Sequence, residues 1–255
     1  MQAWPRILER LRHIPDEAAV SALLRRLHHM AGGGGSPRVL AFVNAHAFNL
    51  AATQPQFEHA LLTTDLLLRD GSGLAWLLGR CGQSPGLNMN GTDFLPRLLL
   101  ACDGLPTAVR GTRDPHLALG LQQIQRQWMP RSALWGVDGF QEPSTYLDLL
   151  RQRKPALVLL GMGMPRQEQM AQWLKQHLSH GCLIVCVGAL IDFMAGRTRR
   201  APPAWRRAGL EWLWRLGQEP RRLFGRYVIG NPLFVWRSMK MMRSAEGRGL
   251  LRRMV

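Results

Sequence analysis

The chain has 255 residues, of which 46% are hydrophobic, and a formal net charge of +16. That apolar content excludes a disordered chain, and the length suffices for one full core with an appendage. No stretch reaches the ~18–20 uninterrupted apolar residues of a membrane-spanning helix, and the start, Met1 to Arg6, lacks a secretory pattern, so a cytoplasmic protein is expected. The charge is uneven: residues 197–255 carry 15 Lys and Arg against three acids, and residues 1–196 carry 18 against 14. A field of that kind attracts nucleic acid, anionic lipid or a polyanionic substrate.

Residues 1–35 read as a helical segment with a Gly-rich join. Pro15-Asp16-Glu17 is a helix start, Ala19, Leu23, Leu24 and Leu27 recur at helical spacing, and Gly32 to Gly35 break the pattern as a flexible link. Over residues 36–196 short apolar runs alternate with helical patterns. Strands are expected at 39–43, 66–69, 107–110, 133–137, 156–160 and 183–187, with helices near 46–53, 74–78, 93–102, 115–128, 144–151 and 167–178. This alternation predicts an α/β, Rossmann-like domain, a mostly parallel sheet with helices on both faces. Its ligands belong beyond the carboxyl ends of the strands, at loops starting with Asn44, Asp70, Gly111, Asp138, Gly161 and Gly188.

Residues 197–255 form a basic helical appendage. Leu210, Leu213, Trp214, Leu223, Phe224, Tyr227 and Val228 recur at three- and four-residue steps, Arg215, Arg222 and Arg226 fill other positions, and Pro220 divides the pattern into two short helices. Basic residues beside Trp and Phe on amphipathic helices suit a membrane interface. A helix pair packed on the sheet with a solvated basic face satisfies the same pattern.

The motif most suggestive of chemistry runs from Gly161 to Glu168, Gly-Met-Gly-Met-Pro-Arg-Gln-Glu. Gly161 and Gly163 let the backbone bend close to a ligand, Pro165 suits the first helical position, and the helix-start amides favour an anion. A phosphate cradle and a plain strand-to-helix turn both fit. Arg166 replaces the third glycine of a dinucleotide fingerprint, and no acid lies about twenty positions on, so a dinucleotide oxidoreductase is poorly supported. There is no Walker lysine motif, no serine elbow and no Asp-x-Asp pair, so arginines and helix termini must carry the charge of any departing diphosphate.

Asp70, in Arg69-Asp70-Gly71, stands where such sheets keep reactive groups and is suited to accept a proton from a hydroxyl nucleophile; it equally fits a turn or a cap for the next helix. Asn90 and Thr92 suit a helix cap or hydrogen bonds to a sugar or nucleotide. Asn44 and His46 end the first strand, and a lone histidine is more often structural. Cys81, Cys102, Cys182 and Cys186 make no disulfide or zinc pattern and are expected in the core.

With these pieces in place, the chain resembles the WecG/TagA/CpsF family of bacterial glycosyltransferases from about Arg38 to Phe234. The resemblance rests on Asn44-Ala45-His46, Asp70-Gly71, Asn90-Gly91-Thr92-Asp93, the 161–168 stretch and Gly188 to Phe193. It continues through Arg200-Ala201-Pro202, Leu210 to Leu216 and Glu219-Pro220-Arg221-Arg222. The first and third of these look most like the exopolysaccharide (GumM-like) branch.

The resemblance implies an inverting, metal-independent transfer from a UDP-sugar to a saccharide on a polyprenyl diphosphate, with Asp70 as the base and no cofactor. A hexose such as glucose is the expected sugar. N-acetylmannosamine or its uronate, as in the teichoic-acid and common-antigen branches, is the alternative. Asn44, Asn90, Thr92, Gly111, Asp138, Gly161, Gly163, Gln167 and Glu168 are expected around the donor, with Gln167 the chosen contact and Glu168 also able to cap its own helix. Arg215, Arg221 and Arg222 are expected to meet the diphosphate or the lipid. The expected place is the inner face of the cytoplasmic membrane, on anionic lipid, with a homo-oligomer open. A nucleic-acid-binding protein is the rival class suggested by charge alone; it lacks any recognised reading motif.

Overall fold

The computed structural model describes residues 3–244. Residues 245–255 of the expected basic appendage lie outside the described residues. Six strands, β1 (Arg38–Val43), β2 (Leu66–Arg69), β3 (Thr107–Gly111), β4 (Leu134–Asp138), β5 (Leu157–Leu160) and β6 (Leu183–Cys186), form one parallel sheet in the order β2-β1-β6-β5-β3-β4. All five pairings are parallel. The α/β, Rossmann-like expectation therefore holds, and each expected strand is present within a residue or so of its bounds.

Side chains alternate across the sheet, as a strand requires. In β1, Val39, Ala41 and Val43 join one core and Leu40 and Phe42 the other. The first core is covered by α1 (Ala3–Glu9), α3 (Ala45–Ala51), α4 (Pro55–Leu62), α5 (Ser72–Arg80), α8 (Pro143–Arg153) and α9 (Arg166–His177). The second is covered by α2 (Glu17–Gly32), α6 (Gly91–Ala101), α7 (His116–Gln127) and the short α10 (Leu190–Met194). Burial on both faces is why the strands read as continuous apolar runs. Cys182 and Cys186 point to one face, as their spacing implies, and all four cysteines are buried and free.

The chain then continues through α11 (Pro203–Arg207), α12 (Glu211–Gln218), α13 (Pro220–Phe224), a π-helical turn over Gly225–Ile229, and α14 (Gly230–Arg243). Pro220 opens α13, so the expected division at that residue is present. The 14-residue α14 beyond it was not among the expected elements. It returns to the first core through Phe234 and Met241. Asn49 in α3 holds it there: its Nδ2 donates to Gly230 O at 2.7 Å, and the Arg237 guanidinium donates to Asn49 O and Oδ1, each at 3.1 Å.

Helices α4 and α10 are also additions to the sequence reading, while α1 falls within the helical segment expected over residues 1–35. Helix α4 carries a proline in its first turn and buries Phe57, Ala60 and Leu61 at helical spacing, whereas α10 spans only five residues, too few to show a period. Helix α1 seats Trp4 in the core. Its Nε1 donates to Phe48 O at 2.8 Å, and its ring lies 5.0 Å from Phe48 and 5.3 Å from Phe234. One indole thus joins α1, α3 and α14.

Trp4→Ala removes that ring and leaves a cavity among three helices. It is expected to lower the unfolding free energy by about 3–5 kcal/mol, read from the urea midpoint, with Phe48 and Phe234 losing their shared partner.

Candidate active site

The loops after the strands converge on one end of the sheet. Asn44 follows β1 and caps α3 through an Oδ1 that accepts from Ala47 N at 3.1 Å, which leaves its amide nitrogen free to donate to Asp70 Oδ2 at 3.1 Å. Asp70 follows β2 and its own N–H donates to Val43 O at 2.8 Å. The next residue, Gly71, has φ of 87°, a conformation that favours glycine, and its N–H donates to Asn88 Oδ1 at 2.8 Å. Arg69 braces the turn from below with bonds to Pro85 O, Gly71 O and Gly86 O.

Burial pushes the Asp70 carboxyl up from its ordinary value, and the Asn44 hydrogen bond and the positive charges of Arg226, Arg215 and Arg69 oppose that push. His46, beside the same arginine, is lowered to about 4 by burial and then by Arg226, so its ring is neutral near pH 7. The two arginines come from the C-terminal segment, Arg215 on α12 and Arg226 on the π-helical turn. The same segment grips α6. Arg200 pairs with Asp93 at 2.5 Å and with Glu211 at 3.9 Å, and Arg206 lies 3.8 Å from Asp93. Burial raises Asp93, but the hydrogen bonds from Arg200 and Asn90 outweigh it and hold the group below its usual range. Glu211 is pushed up by burial, against the pull of Arg200 and Arg215.

A second feature opens beside this cluster, across the ends of β3, β4 and β5. It is a cleft of about 330 Å³ lined in part by Gly111, Thr112, Gly139, Gly161, Arg166 and Arg197. Its floor is backbone: a Cβ on Gly139 would stand 2.3 Å from Gly111 O. Arg113 covers the Phe140 ring at 3.9 Å, and Arg197 reaches Asp192 at 3.3 Å. Three arginines, Arg113, Arg166 and Arg197, therefore border a space with room for a phosphorylated ligand.

The expected residues separate by role. Gly111 and Gly161 line the cleft. Asp138 turns its carboxylate back to Phe140 N at 2.8 Å and shapes the loop. Asn90 caps α6, accepting from Asp93 N at 3.0 Å and donating to Asp93 Oδ2 at 2.8 Å, with half-buried Thr92 in the same turn. Helix α9 begins at Arg166, one residue after the expected Pro165. Gln167 is 2% exposed and works as a bracket: its Oε1 accepts from Gly163 N at 3.2 Å and Gly188 N at 3.0 Å, and its Nε2 donates to Glu168 Oε1 at 2.7 Å. One amide of the turn expected to face a phosphate, that of Gly163, thus faces a side chain. Arg215 reaches the Asp70 cluster and lies over the Phe193 ring at 5.4 Å, whereas Arg221 and Arg222 stand exposed on α13, Arg222 paired with Glu219.

Sequence reasoning named Arg226 and Arg200 but gave neither a place at the site. Arg226 is the cation that acts on His46, Asp70 and Glu168 together. Its signal was a position four residues after Arg222, one helical turn on. The π-helical turn, a form frequent at functional sites, carries it toward the sheet.

Glu168 is buried beside Gln167, and its Oε2 has no hydrogen-bond partner. Burial pushes its carboxyl from an ordinary 4.5 to about 7, against the Gln167 hydrogen bond and the Arg226 charge. The folded state holds this proton more tightly than the unfolded one, so the stability it gives is full below about pH 4.5 and is lost as pH rises toward 7. Glu168→Gln removes the dependence. The stability of the variant relative to the parent is expected to grow between pH 5 and pH 8 by up to about 3 kcal/mol, measured by urea unfolding at both values.

Among the described residues no cluster of three or more His, Cys, Asp or Glu side chains could hold a metal ion, and no helix is long and apolar enough to cross a membrane. A family model described as the WecG/TagA/CpsF family of glycosyl transferases matches residues 11–248, a longer span than the motifs alone suggested, taking in α2 and the whole described C-terminal segment. With nearly the entire chain matched, the protein belongs to the WecG/TagA/CpsF glycosyltransferase family.

Proposed function

We propose that this glycosyltransferase moves a hexose, glucose-like, from a UDP-sugar to a saccharide carried on a polyprenyl diphosphate, in exopolysaccharide assembly. The observation that carries the reading is Asp70, held by Asn44 and faced by Arg215 and Arg226 beside an arginine-bordered cleft. The nucleotide occupies the cleft over Gly111, Gly139 and Gly161. Its diphosphate leaves the cleft past Gly188 toward Arg226, and the diphosphate, the anomeric carbon and the acceptor hydroxyl together bridge the step from β5 to β2, about 14 Å at ordinary strand spacing.

Asp70 accepts the proton of the acceptor hydroxyl. The oxygen then forms a bond to the anomeric carbon as the bond to the UDP oxygen breaks on the opposite face, inverting that centre. The proton ends on Asp70 and the electron pair on the departing diphosphate. Arg215 and Arg226 stabilise that charge where it develops, which is the largest contribution fixed cations make to such a step. In this reading no metal is required. Gln167 and Glu168 build the wall of the donor site and Asn90 holds the α6 turn. Arg221 and Arg222, exposed on α13, meet the anionic membrane surface, and residues 197–255 serve as a membrane-associating appendage to the catalytic unit at 36–196.

Asp70→Asn is expected to lower kcat for transfer by about 10²–10⁴ while circular dichroism and UDP affinity stay unchanged. A folded variant with near-normal transfer to a lipid-linked acceptor would refute the base assignment. Arg226→Gln removes a positive charge that holds the Asp70 proton affinity down. The acid limb of the pH–rate profile is therefore expected to move to higher pH, an effect a purely structural role would not produce.

A further inference from the structure

A groove of about 720 Å³ runs along the outer side of the C-terminal segment. Trp212 and Leu216 on α12, Tyr227 and Val228 on the π-helical turn, and Val235 and Trp236 on α14 form its walls, and Asn231 is the one amide among them. The Trp212 and Tyr227 rings meet at 5.9 Å, while Trp236 stays 57% exposed. An apolar surface of this size left open to water marks a binding site.

We propose that this groove holds the hydrocarbon chain of an isoprenoid diphosphate, the lipid part of the acceptor. The inference rests on the function proposed above and names where the lipid goes. Its support is continuity: the elements that wall the groove also arm the active site. Arg226 immediately precedes Tyr227, Arg215 lies between Trp212 and Leu216, and both cations act on Asp70. The same short segments therefore present positive charge toward the sheet and apolar side chains away from it. That pattern complements an amphiphile with an anionic head and a hydrocarbon tail. Lys240, over the Trp236 ring at 5.3 Å, adds a cation at the outer rim, where anionic headgroups lie. A second copy of the chain is the poorer occupant, because each copy carries a net +16 and the groove lies in the most basic part of it.

Calorimetric titration of the full chain with farnesyl diphosphate, below its micelle concentration, and with inorganic diphosphate tests the groove without any sugar. The farnesyl compound is expected to bind more tightly by about tenfold or more, with a negative heat-capacity change from apolar burial. Val228→Trp and Val235→Trp fill the groove from two different elements. Each is expected to remove the farnesyl advantage while leaving diphosphate affinity, melting temperature and binding to anionic phosphatidylglycerol vesicles unchanged. Equal affinity for the two probes in the parent protein would overturn the proposal, as would an advantage that survives both substitutions. Loss of vesicle binding in the filled variants without a farnesyl advantage in the parent would assign the face to the general membrane surface. Self-association of the parent that the substitutions abolish, seen by sedimentation equilibrium, would assign it to a second copy. A parent that binds farnesyl diphosphate through the groove yet transfers no sugar would leave the groove standing and remove the proposed reaction.

Discussion

Four arginines of the C-terminal segment, Arg200, Arg206, Arg215 and Arg226, face two carboxylates of the sheet domain, Asp70 and Asp93, with Glu211 of their own segment among them. This mutual compensation is the constraint on which the rest of the site depends. A segment with so large an excess of positive charge repels itself when isolated, and a carboxyl enclosed at a strand end, as Asp70 is, resists ionisation when left alone. Brought together, each group makes the other tolerable. The segment gains a defined seat, and Asp70 gains the positive surroundings that oppose the upward push of burial.

The balance also distinguishes the two carboxylates near Arg226. Asp70 has the Asn44 amide and three cations to favour its ionised form. Glu168 has the Gln167 amide, its own backbone N–H and one cation, and an oxygen with no partner. More groups oppose the upward push of burial at Asp70 than at Glu168, and unequal surroundings of this kind are what assign acid and base roles to carboxylate pairs elsewhere. The Gln167 bracket explains why Glu168 is so placed. By joining the β5 loop to the β6 loop through Gly163 and Gly188, Gln167 closes the space over its neighbour.

The sheet was readable because its strands are buried on both faces and appear as short apolar runs between helical periods. Asp70 and Asn44 were readable because they follow such runs directly, and the rule that ligands gather at strand carboxyl ends needs no side-chain geometry. Other parts escaped for particular reasons. Nothing in Gln167 itself tells that its amide is spent on two backbone donors, one of them 21 residues further on. Arg221 and Arg222 stood out through a motif, yet the cation that joins Arg215 at Asp70 is Arg226, whose direction depends on a π-helical turn that changes the helical register. The groove depends on α14, whose period was masked by the basic residues among its apolar ones.

The backbone floor of the cleft has an evolutionary consequence. At Gly139 the neighbouring carbonyl oxygen of Gly111 occupies the place a methyl group would need, and at Gly161 the Gly188 carbonyl oxygen stands 3.2 Å from that position. A larger residue at Gly139 forces the main chain at Gly111 to move, and one at Gly161 makes its neighbours give by a few tenths of an ångström. That end of the site therefore resists substitution, most of all at Gly139, and a lineage that changes its ligand does so more readily through the side chains at the rim, such as Thr112, Phe140 and Met162. Divergence within this architecture should accumulate around the mouth of the cleft while its base stays the same.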